Sequence, residues 1–513
     1  AVPMYEGALE VVFALQQETL AEDYTEAAFR FMEKSKSVLL LSSLKENQAR
    51  MAANMPDSLL QRENELRADL AYRQRQLVDR ELEYGTNDSL AQVQRQQLLR
   101  RQQAYQALIG ELEKDYPNYH REKYNTAVVR LDTFRQHLAG QGQSLVEYFV
   151  GARHWYYLAL SATGQQFGRL ADPDGLTMAV SDCLEAIHAP ERGEASLREY
   201  ARLGQELYDQ LWSPMTANLQ PRTVVVPAGI LGYLPFEALL REAVGDASLR
   251  DFPFLLRDYQ LSYAYSATVL MENHRSPVRR AAESVLAMAP VFADDPAWAT
   301  LPYSQEEVEH IHRLVGGEMV VAEEATKAYF QAHGPAYRIL HLSSHAAADS
   351  SGAGSWIAFA GPTDQQLFLP ELYAMDLPAD LAVLSACETG LGRISGGEGV
   401  MSLARGFAFA GCQSVITTLW KVNHGATAQI MTQLYEGLAA GATKDDALRQ
   451  AQLTYLDDPT LDDIGRHPYY WSAFHQIGNA NAIQLERRHP YLWWSLGGIL
   501  LLLAALWLLR RRV

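Results

Sequence analysis

The feature that most constrains the fold is the alternation of short apolar segments with amphipathic segments between about residues 145 and 480. Apolar segments such as 223–227 and 380–386 predict strands that are buried on both faces. The intervening segments repeat apolar residues at helical spacing, and this alternation predicts an α/β fold with a parallel sheet. Two aromatic or apolar segments, 154–160 and 165–170, additionally predict a β-hairpin.

The first part of the chain has a different pattern and predicts helices. We interpret residues 1–56 as the end unit of a tetratricopeptide-like array. Residues 57–140 carry leucines at coiled-coil spacing and predict a coiled helical hairpin with linker helices, in which Asp88 caps the second helix. Helical arrays offer extended binding surfaces, so we expect this region to bind a protein activator.

Composition excludes several classes of function. The chain has 513 residues, room for about three domains, and its formal net charge of −17 argues against nucleic-acid binding. The three cysteines, Cys183, Cys387 and Cys412, form neither a disulfide framework nor a metal-binding pattern. We therefore expect no metal and no cofactor.

Residues 491–509 contain no charged side chain, and as a helix they would reach roughly 28 Å, about the thickness of a bilayer core. Arginines flank the segment on both sides. We predict a transmembrane helix over 490–510, and the alternative is a buried C-terminal helix. The flanking charges leave the orientation open, while the free thiols favour a cytoplasmic soluble part. Because the chain opens at Ala1 without a methionine, we expect a piece of a longer protein or a processed one.

Two of the predicted strands run directly into residues with nucleophilic or basic chemistry, His345 and Cys387. Ligand sites in open parallel sheets form at the carboxyl ends of the strands, so these side chains can meet if the strands are neighbours. A thiol beside an imidazole is the minimum for cysteine nucleophilic catalysis. His341 lies within its strand and Cys412 precedes another strand, and we expect both to be structural.

Several longer motifs occur in the same order as in a known family. They read HLSSH at 341–345, VLSACETGLG at 383–392, GGEGVMSLARGFAFAGCQSVITTLWKVN at 396–423 and PYYWSAFHQIGN at 468–479. Over roughly residues 145–480 the chain resembles the CHAT domain, a bacterial branch of the caspase/separase-like cysteine peptidases. The resemblance implies a first α/β part at 145–275 and a caspase-like catalytic domain at 276–482.

The resemblance also implies roles for individual residues. His345 would be the general base, Cys387 the nucleophile, and the backbone amides of Ala346 and Cys387 the oxyanion hole. Ala346 stands where these peptidases often have glycine. The family often carries an acid after the LWKVN segment, where this chain has His424, so a preference for basic substrates becomes doubtful. Further candidate substrate contacts are Glu388, Trp420, Asn423 and His424.

Two of these candidate contacts have structural alternatives. Glu388 would otherwise be a solvated loop charge, and Trp420 would otherwise be part of the core.

The predicted function is a membrane-anchored cysteine endopeptidase that cleaves a partner protein under control of its helical region. The alternative is a caspase-like scaffold for protein–protein interaction in which His345 and Cys387 are idle.

Overall fold

The architecture is organised by one eleven-stranded sheet. The structure is a computed structural model that describes residues 2–19, 24–36, 88–116, 127–245, 247–275, 283–292, 303–348, 354–361, 363–386, 392–395, 399–421 and 423–485, with residue 301 and scattered positions between 40 and 80. The strands of the large sheet are β1 Ser144–Val150, β2 Trp155–Leu160, β3 Gln165–Leu170, β4 Arg222–Val226, β5 Gln260–Tyr263, β6 Glu283–Ala289, β7 Glu318–Val321, β8 Tyr337–Ser344, β12 Leu381–Ala386, β15 Ser414–Thr418 and β16 Phe474–Gly478. Their order is β3-β2-β1-β4-β5-β16-β15-β12-β8-β6-β7.

Two small sheets accompany the large one. The first contains β9 Ala346–Ala347, β10 Trp356–Ala358 and β11 Gln366–Phe368, and the second contains β13 Gly392–Ser395 and β14 Gly399–Ser402. The helices are α1 Val2–Glu18, α2 Thr25–Lys34, α3 Ser89–Asp115, α4 Leu131–Gln141, α5 Pro173–His188, α6 Glu194–Leu211, α7 Leu255–Asp258, α8 Ala267–Arg275, α9 Ser304–Val315, α10 Lys327–His333, α11 Leu369–Tyr373, α12 Leu403–Phe409, α13 His424–Ala439, α14 Lys444–Leu456 and α15 Pro468–Trp471.

The large sheet is mixed, which corrects the expectation of a parallel sheet. β6, β7, β8, β12 and β15 run parallel to one another, and β1, β4, β5 and β16 form a second parallel set. The antiparallel pairs are β1–β2, β2–β3 and β15–β16. Connections as short as those between β1, β2 and β3 can only join antiparallel neighbours, because a parallel crossover needs a dozen or more residues.

Helices cover both faces of the sheet. On one face α5, α6, α13 and α14 bury residues such as Cys183, Tyr200 and Leu434 against strand residues that include Val225 and Val383. On the other face α1, α2 and α4 cover the first strands. The helices α10, α11 and α12 cover β8 and β12 on that same face. Each fully buried large apolar side chain contributes about 1.5–3 kcal/mol, so these two layers hold the sheet in place.

Ion pairs join the N-terminal helices to the sheet domain. Lys36 Nζ lies 2.8 Å from Glu147 Oε1, and Lys45 Nζ lies 2.7 Å from Glu272 Oε2. The Glu33 carboxylate accepts the backbone N–H groups of Ala267 and Thr268, at the start of α8. The first helices therefore contact the sheet domain through charged as well as apolar groups.

The long helix α3 starts with Asp88 as its N-cap, as predicted, because the Asp88 carboxylate accepts the backbone N–H of Ala91. Its buried residues contact described leucines of the preceding segment; Leu108 and Leu112 lie in one cluster with Leu59 and Leu66. Among the residues that the structure describes, none of the helices is long and apolar enough to cross a membrane. The predicted span at 490–510 lies outside the described residues.

Candidate active site

The strands that precede the two predicted catalytic residues are neighbours in the sheet. β8 and β12 run parallel, and their register pairs Ser344 with Ala386, the last residue of each strand. His345 follows Ser344, and Cys387 is the next residue after Ala386 in the sequence. The adjacency on which the predicted pair depends is thus present. Cys387 and Glu388 themselves lie outside the described residues.

Buried apolar side chains hold these two strands in place. Leu340 and Leu342 of β8, and Leu381 and Leu384 of β12, are at most 1% exposed. Such residues predict interior strands of a covered sheet, so polar groups can reach solvent only where the strands end. The end of β8 is also tied to the small sheet, because the Ser344 hydroxyl donates to the carbonyl of Ala358 at 2.7 Å.

His345 is half-buried at this edge. Its ring centroid lies 5.3 Å from that of Phe292. Its carbonyl accepts the backbone N–H of Ala358 at 2.8 Å. Ala346, the predicted oxyanion residue, begins β9 and pairs with Ile357 of β10. The backbone on both sides of the imidazole is therefore held by hydrogen-bonded strands.

His424 lies near His345. It is the first residue of α13, and the side chain of Asn423 caps that helix by accepting the N–H groups of Gly425 and Ala426 at 2.9 and 3.3 Å. Burial lowers the pKa of His424, and the charges of Lys421 and His345 lower it further. The imidazoles of His345 and His424 are thus close enough to interact electrostatically. The side-chain oxygen of Asn423 is already hydrogen-bonded as the helix cap.

Trp420 is 5% exposed. Its indole N–H donates to the carbonyl of Tyr469 at 2.9 Å, and its ring centroid lies 4.8 Å from that of His188. These contacts favour the packing interpretation of Trp420 over a substrate contact, and the substrate contact stays a prediction.

A buried carboxylate beside β8 escaped the sequence analysis. The segment from Ser304 to Glu307 predicts a capping box, but this prediction is wrong: Tyr303 is the N-cap and α9 begins without a side-chain cap. Glu307 is 7% exposed, and its Oε1 lies 2.8 Å from Nε2 of the fully buried His341. The sequence did contain one signal that Glu307 is buried. It lies four residues before Ile311, on the same apolar face of the helix.

The other two cysteines are buried inside the protein. Cys183 and Cys412 are at most 1% exposed, and burial raises the pKa of Cys183 to about 12. Burial also raises the pKa of the Cys412 thiol. Both thiols therefore stay protonated near neutral pH, which agrees with the structural role expected for Cys412. Within the described ranges, no cluster of three or more His, Cys, Asp or Glu side chains could hold a metal ion.

Comparison with known proteins identifies relatives of this chain. Residues 201–479 match the profile of the CHAT domain. The human tetratricopeptide repeat protein 28 is 24% identical over 327 residues, which cover 53% of this chain and 13% of that protein. The mouse protein of the same name is 23% identical over 330 residues, with the same coverage. The chain thus spans about an eighth of the length of these relatives.

Similar solved structures include the separase–securin complex of Saccharomyces cerevisiae, with 11% identity, a TM-score of 0.45, and coverage of 77% of this chain and 34% of that one. A complex of the pro- and mature domains of RgpB from Porphyromonas gingivalis has 10% identity, a TM-score of 0.35, and coverage of 60% and 77%. Because the domain profile matches more than half of its 513 residues, the chain belongs to the CHAT domain family.

Proposed function

We propose that this chain is a cysteine peptidase of the CHAT type, with His345 as general base and Cys387 as nucleophile. The observation that supports this proposal is the strand register, which pairs Ser344 with Ala386. These residues immediately precede His345 and Cys387. Parallel strands in register direct the residues that follow them to one edge of the sheet. An imidazole and a thiol at that edge are the groups that acyl transfer requires.

The proposed reaction has two halves. The thiol of Cys387 gives its proton to the imidazole of His345, and the sulfur attacks the peptide carbonyl carbon to form a tetrahedral oxyanion. The backbone N–H groups of Ala346 and Cys387 would stabilise that oxyanion. The imidazolium then protonates the leaving amine as the C–N bond breaks and a thioester forms. Water, deprotonated by the imidazole, hydrolyses the thioester and releases the carboxylate product.

The substrate class follows from charges near His345. Lys421 and His345 both lie near His424, because the charge of each lowers its pKa. The Lys421 charge would repel a basic substrate side chain there, so we propose that the site cleaves after neutral or acidic residues. Glu388, Asn423 and His424 are the proposed substrate contacts, and Trp420 is a weaker one.

Control by the helical region is the second part of the proposal. Leu40, Leu41 and Leu44 of that region lie in one cluster with Val269 and Ala408. Ala408 belongs to α12, which follows the segment 387–402 that starts with the proposed nucleophile. A protein activator that shifts the helical region would therefore act on α12 directly.

We also propose that residues 490–510 anchor the chain in a membrane with the soluble part in the cytoplasm, since 491–509 are uncharged.

Thiol labelling tests the dyad. The full chain, solubilised in detergent, is treated with a low dose of iodoacetamide near neutral pH, and each cysteine is quantified by mass spectrometry. We expect selective alkylation of Cys387, with Cys183 and Cys412 as internal references. His345→Ala should slow that alkylation at least about tenfold, because the thiolate loses its proton acceptor.

His333→Ala is the matched control, because His333 is an exposed histidine stacked on Tyr329. It should leave alkylation of Cys387 unchanged. Equal labelling of all three cysteines would contradict the proposal that His345 activates the Cys387 thiol. An unchanged rate of Cys387 alkylation in His345→Ala would do the same. Either result would favour the scaffold alternative. Repeating the experiment with a candidate activator distinguishes a scaffold from an enzyme that is assembled only on binding.

A further inference from the structure

We propose that α8 is the element through which the N-terminal helices control α12 and β15, and that the carboxylate of Glu33 fixes α8 in place. α8 shares one apolar cluster with both the helical region and α12. The inference names a structural route for the proposed control, and it rests on the proposed function only in linking α12 to the nucleophile. The effect of Glu33 on α8 and α12 can be measured in a protein that lacks Cys387.

Glu33 of α2 binds the first turn of α8 with both of its carboxylate oxygens. Oε1 accepts the backbone N–H of Ala267 at 2.8 Å, and Oε2 accepts the backbone N–H of Thr268 at 2.7 Å and its hydroxyl proton. The first N–H groups of a helix have no partner within the helix, and the positive end of its dipole lies there. Because Glu33 is only 2% exposed, removing the carboxylate leaves these buried N–H groups without an acceptor.

Two further contacts fasten α8 to the helical region. Near the end of α8, Oε2 of Glu272 lies 2.7 Å from Nζ of Lys45, and both side chains are largely buried. Between the two charged contacts, Val269 lies in one apolar cluster with three leucines of the helical region, Leu40, Leu41 and Leu44. Because a buried charge without its partner is costly, these contacts hold α8 in one position while the helical region is docked.

The same segment contacts elements that follow the proposed nucleophile in the chain. The guanidinium carbon of Arg405 in α12 lies 5.4 Å from the ring centroid of Tyr265, two residues before α8. The side chain of Asn273 in α8 donates to the carbonyl of Gln413 at 3.5 Å, one residue before β15. β15 in turn pairs with β12, the strand that leads to Cys387. A shift of α8 would therefore act on α12 and on the start of β15 together.

Cys412 reports whether α12 and β15 open. It lies between these two elements, is 1% exposed, and donates its backbone N–H to the carbonyl of Phe407 at 3.0 Å. Burial raises the pKa of its thiol, so reaction with an alkylating reagent requires a local opening of the fold. Cys183 is buried in the layer on the other face of the sheet and serves as the reference for general unfolding.

The test is alkylation of the native full chain carrying Cys387→Ser, so that the proposed nucleophile neither reacts nor cleaves. The detergent-solubilised protein is incubated with excess iodoacetamide at pH 7.5, and modification of Cys412 and Cys183 is followed by mass spectrometry. Glu33→Gln keeps the shape of the side chain and removes its charge. We expect alkylation of Cys412 to become about tenfold faster, with Cys183 unchanged. Hydrogen exchange of residues 267–275 and 403–409 should accelerate in parallel.

Two further variants accompany Glu33→Gln. Glu26→Gln removes an exposed charge from the same helix and should leave both alkylation rates unchanged. Lys45→Met removes the charged contact near the other end of α8 and should accelerate alkylation of Cys412 at least about threefold. This second variant keeps the inference testable if Glu33→Gln does not fold.

An unchanged Cys412 rate in folded Glu33→Gln would overturn the inference. An equal acceleration at Cys183 would also overturn it, because that result shows general destabilisation. Failure of the proposed function has a different signature. If His345→Ala leaves alkylation of Cys387 unaltered in the otherwise wild-type chain, the dyad is absent, whereas the Cys412 rate in the Cys387→Ser protein still decides whether Glu33 acts on α12.

Discussion

Lys36 and Glu147 form an ion pair in the interior, where the N-terminal helices meet the first strand of the sheet. Nζ of Lys36 lies 2.8 Å from Oε1 of Glu147, and the two side chains are 8% and 0% exposed. Burial raises the pKa of Glu147 to about 7, although the charge of Lys36 opposes the shift. This contact between the helical region and the sheet therefore carries a carboxyl group that ionises near neutral pH.

We expect Lys36→Met to destabilise the protein by about 3 kcal/mol at pH 8, where it leaves an ionised Glu147 buried without a partner. The loss should be smaller at pH 5. Because the folded pKa of Glu147 lies above its ordinary value of 4.5, its contribution to stability is complete below pH 4.5 and is lost as pH rises through about 7. Urea unfolding at both pH values measures this, with Lys36→Met/Glu147→Gln recovering stability at pH 8. Equal losses at both pH values would refute it.

His475 should make the protein sensitive to acid. Its ring stacks on Tyr263 with 4.0 Å between centroids, and burial lowers its pKa to about 3. Burial raises the pKa of the neighbouring Glu237 to about 7, so below that pH the carboxyl is neutral and offers the imidazole no charge. Between pH 6.5 and about 3, His475 is therefore protonated in the unfolded chain but neutral in the folded protein. The free energy of unfolding falls as the pH drops below 6.5, by up to about 5 kcal/mol near pH 3.

The measurement for His475 is the free energy of unfolding from pH 7 to pH 4 in the wild type and in His475→Gln. The variant should show a flatter decline, since its side chain does not titrate. The exposed His333→Gln serves as control and should keep the wild-type slope. Parallel curves for all three proteins would show that His475 is not the source of acid sensitivity.

Arg222 and Asp445 join the start of β4 to α14. The guanidinium makes two bonds to the carboxylate, at 2.7 and 3.1 Å, and Asp445 is fully buried. Arg222→Met should therefore lower the free energy of unfolding by about 3 kcal/mol, because an unpaired carboxylate remains inside. Arg198→Met breaks a surface pair with Glu194 and should change stability by less than about 0.5 kcal/mol. Similar losses in urea unfolding for both variants would contradict the burial argument.

Substrate charge preference can be changed at His424. In His424→Asp a carboxylate stands beside His345, and we expect kcat/KM for peptides with Lys or Arg at the cleavage position to rise about tenfold relative to neutral peptides. The same substitution at the exposed His333 is the control and should not alter this ratio. A peptide library assayed with the activated protein provides the measurement. An unchanged ratio would place the specificity pocket elsewhere.

Most elements could be predicted, and the errors share one cause. The predicted strands at 223–227 and 380–386 correspond to the observed strands Arg222–Val226 and Leu381–Ala386. The parallel sheet was wrong for β16, which pairs antiparallel with β15. The capping box at Ser304 was wrong because Glu307 contacts His341 in a distant strand instead of its own helix terminus. Local sequence patterns predict helices and strands well. They do not show which distant residue a polar side chain contacts in the folded protein.

The sequence by itself determined which segments are strands and helices, and that His345 and Cys387 each follow an apolar strand. Those properties depend on periodicity and chain order, which are local. The tertiary structure alone decided that β8 and β12 are neighbours with Ser344 opposite Ala386, that α1 and α2 cover the same sheet, and that Glu307 lies against His341. These contacts join residues far apart in the chain, because burying apolar faces selects among many strand orders that satisfy the same local pattern.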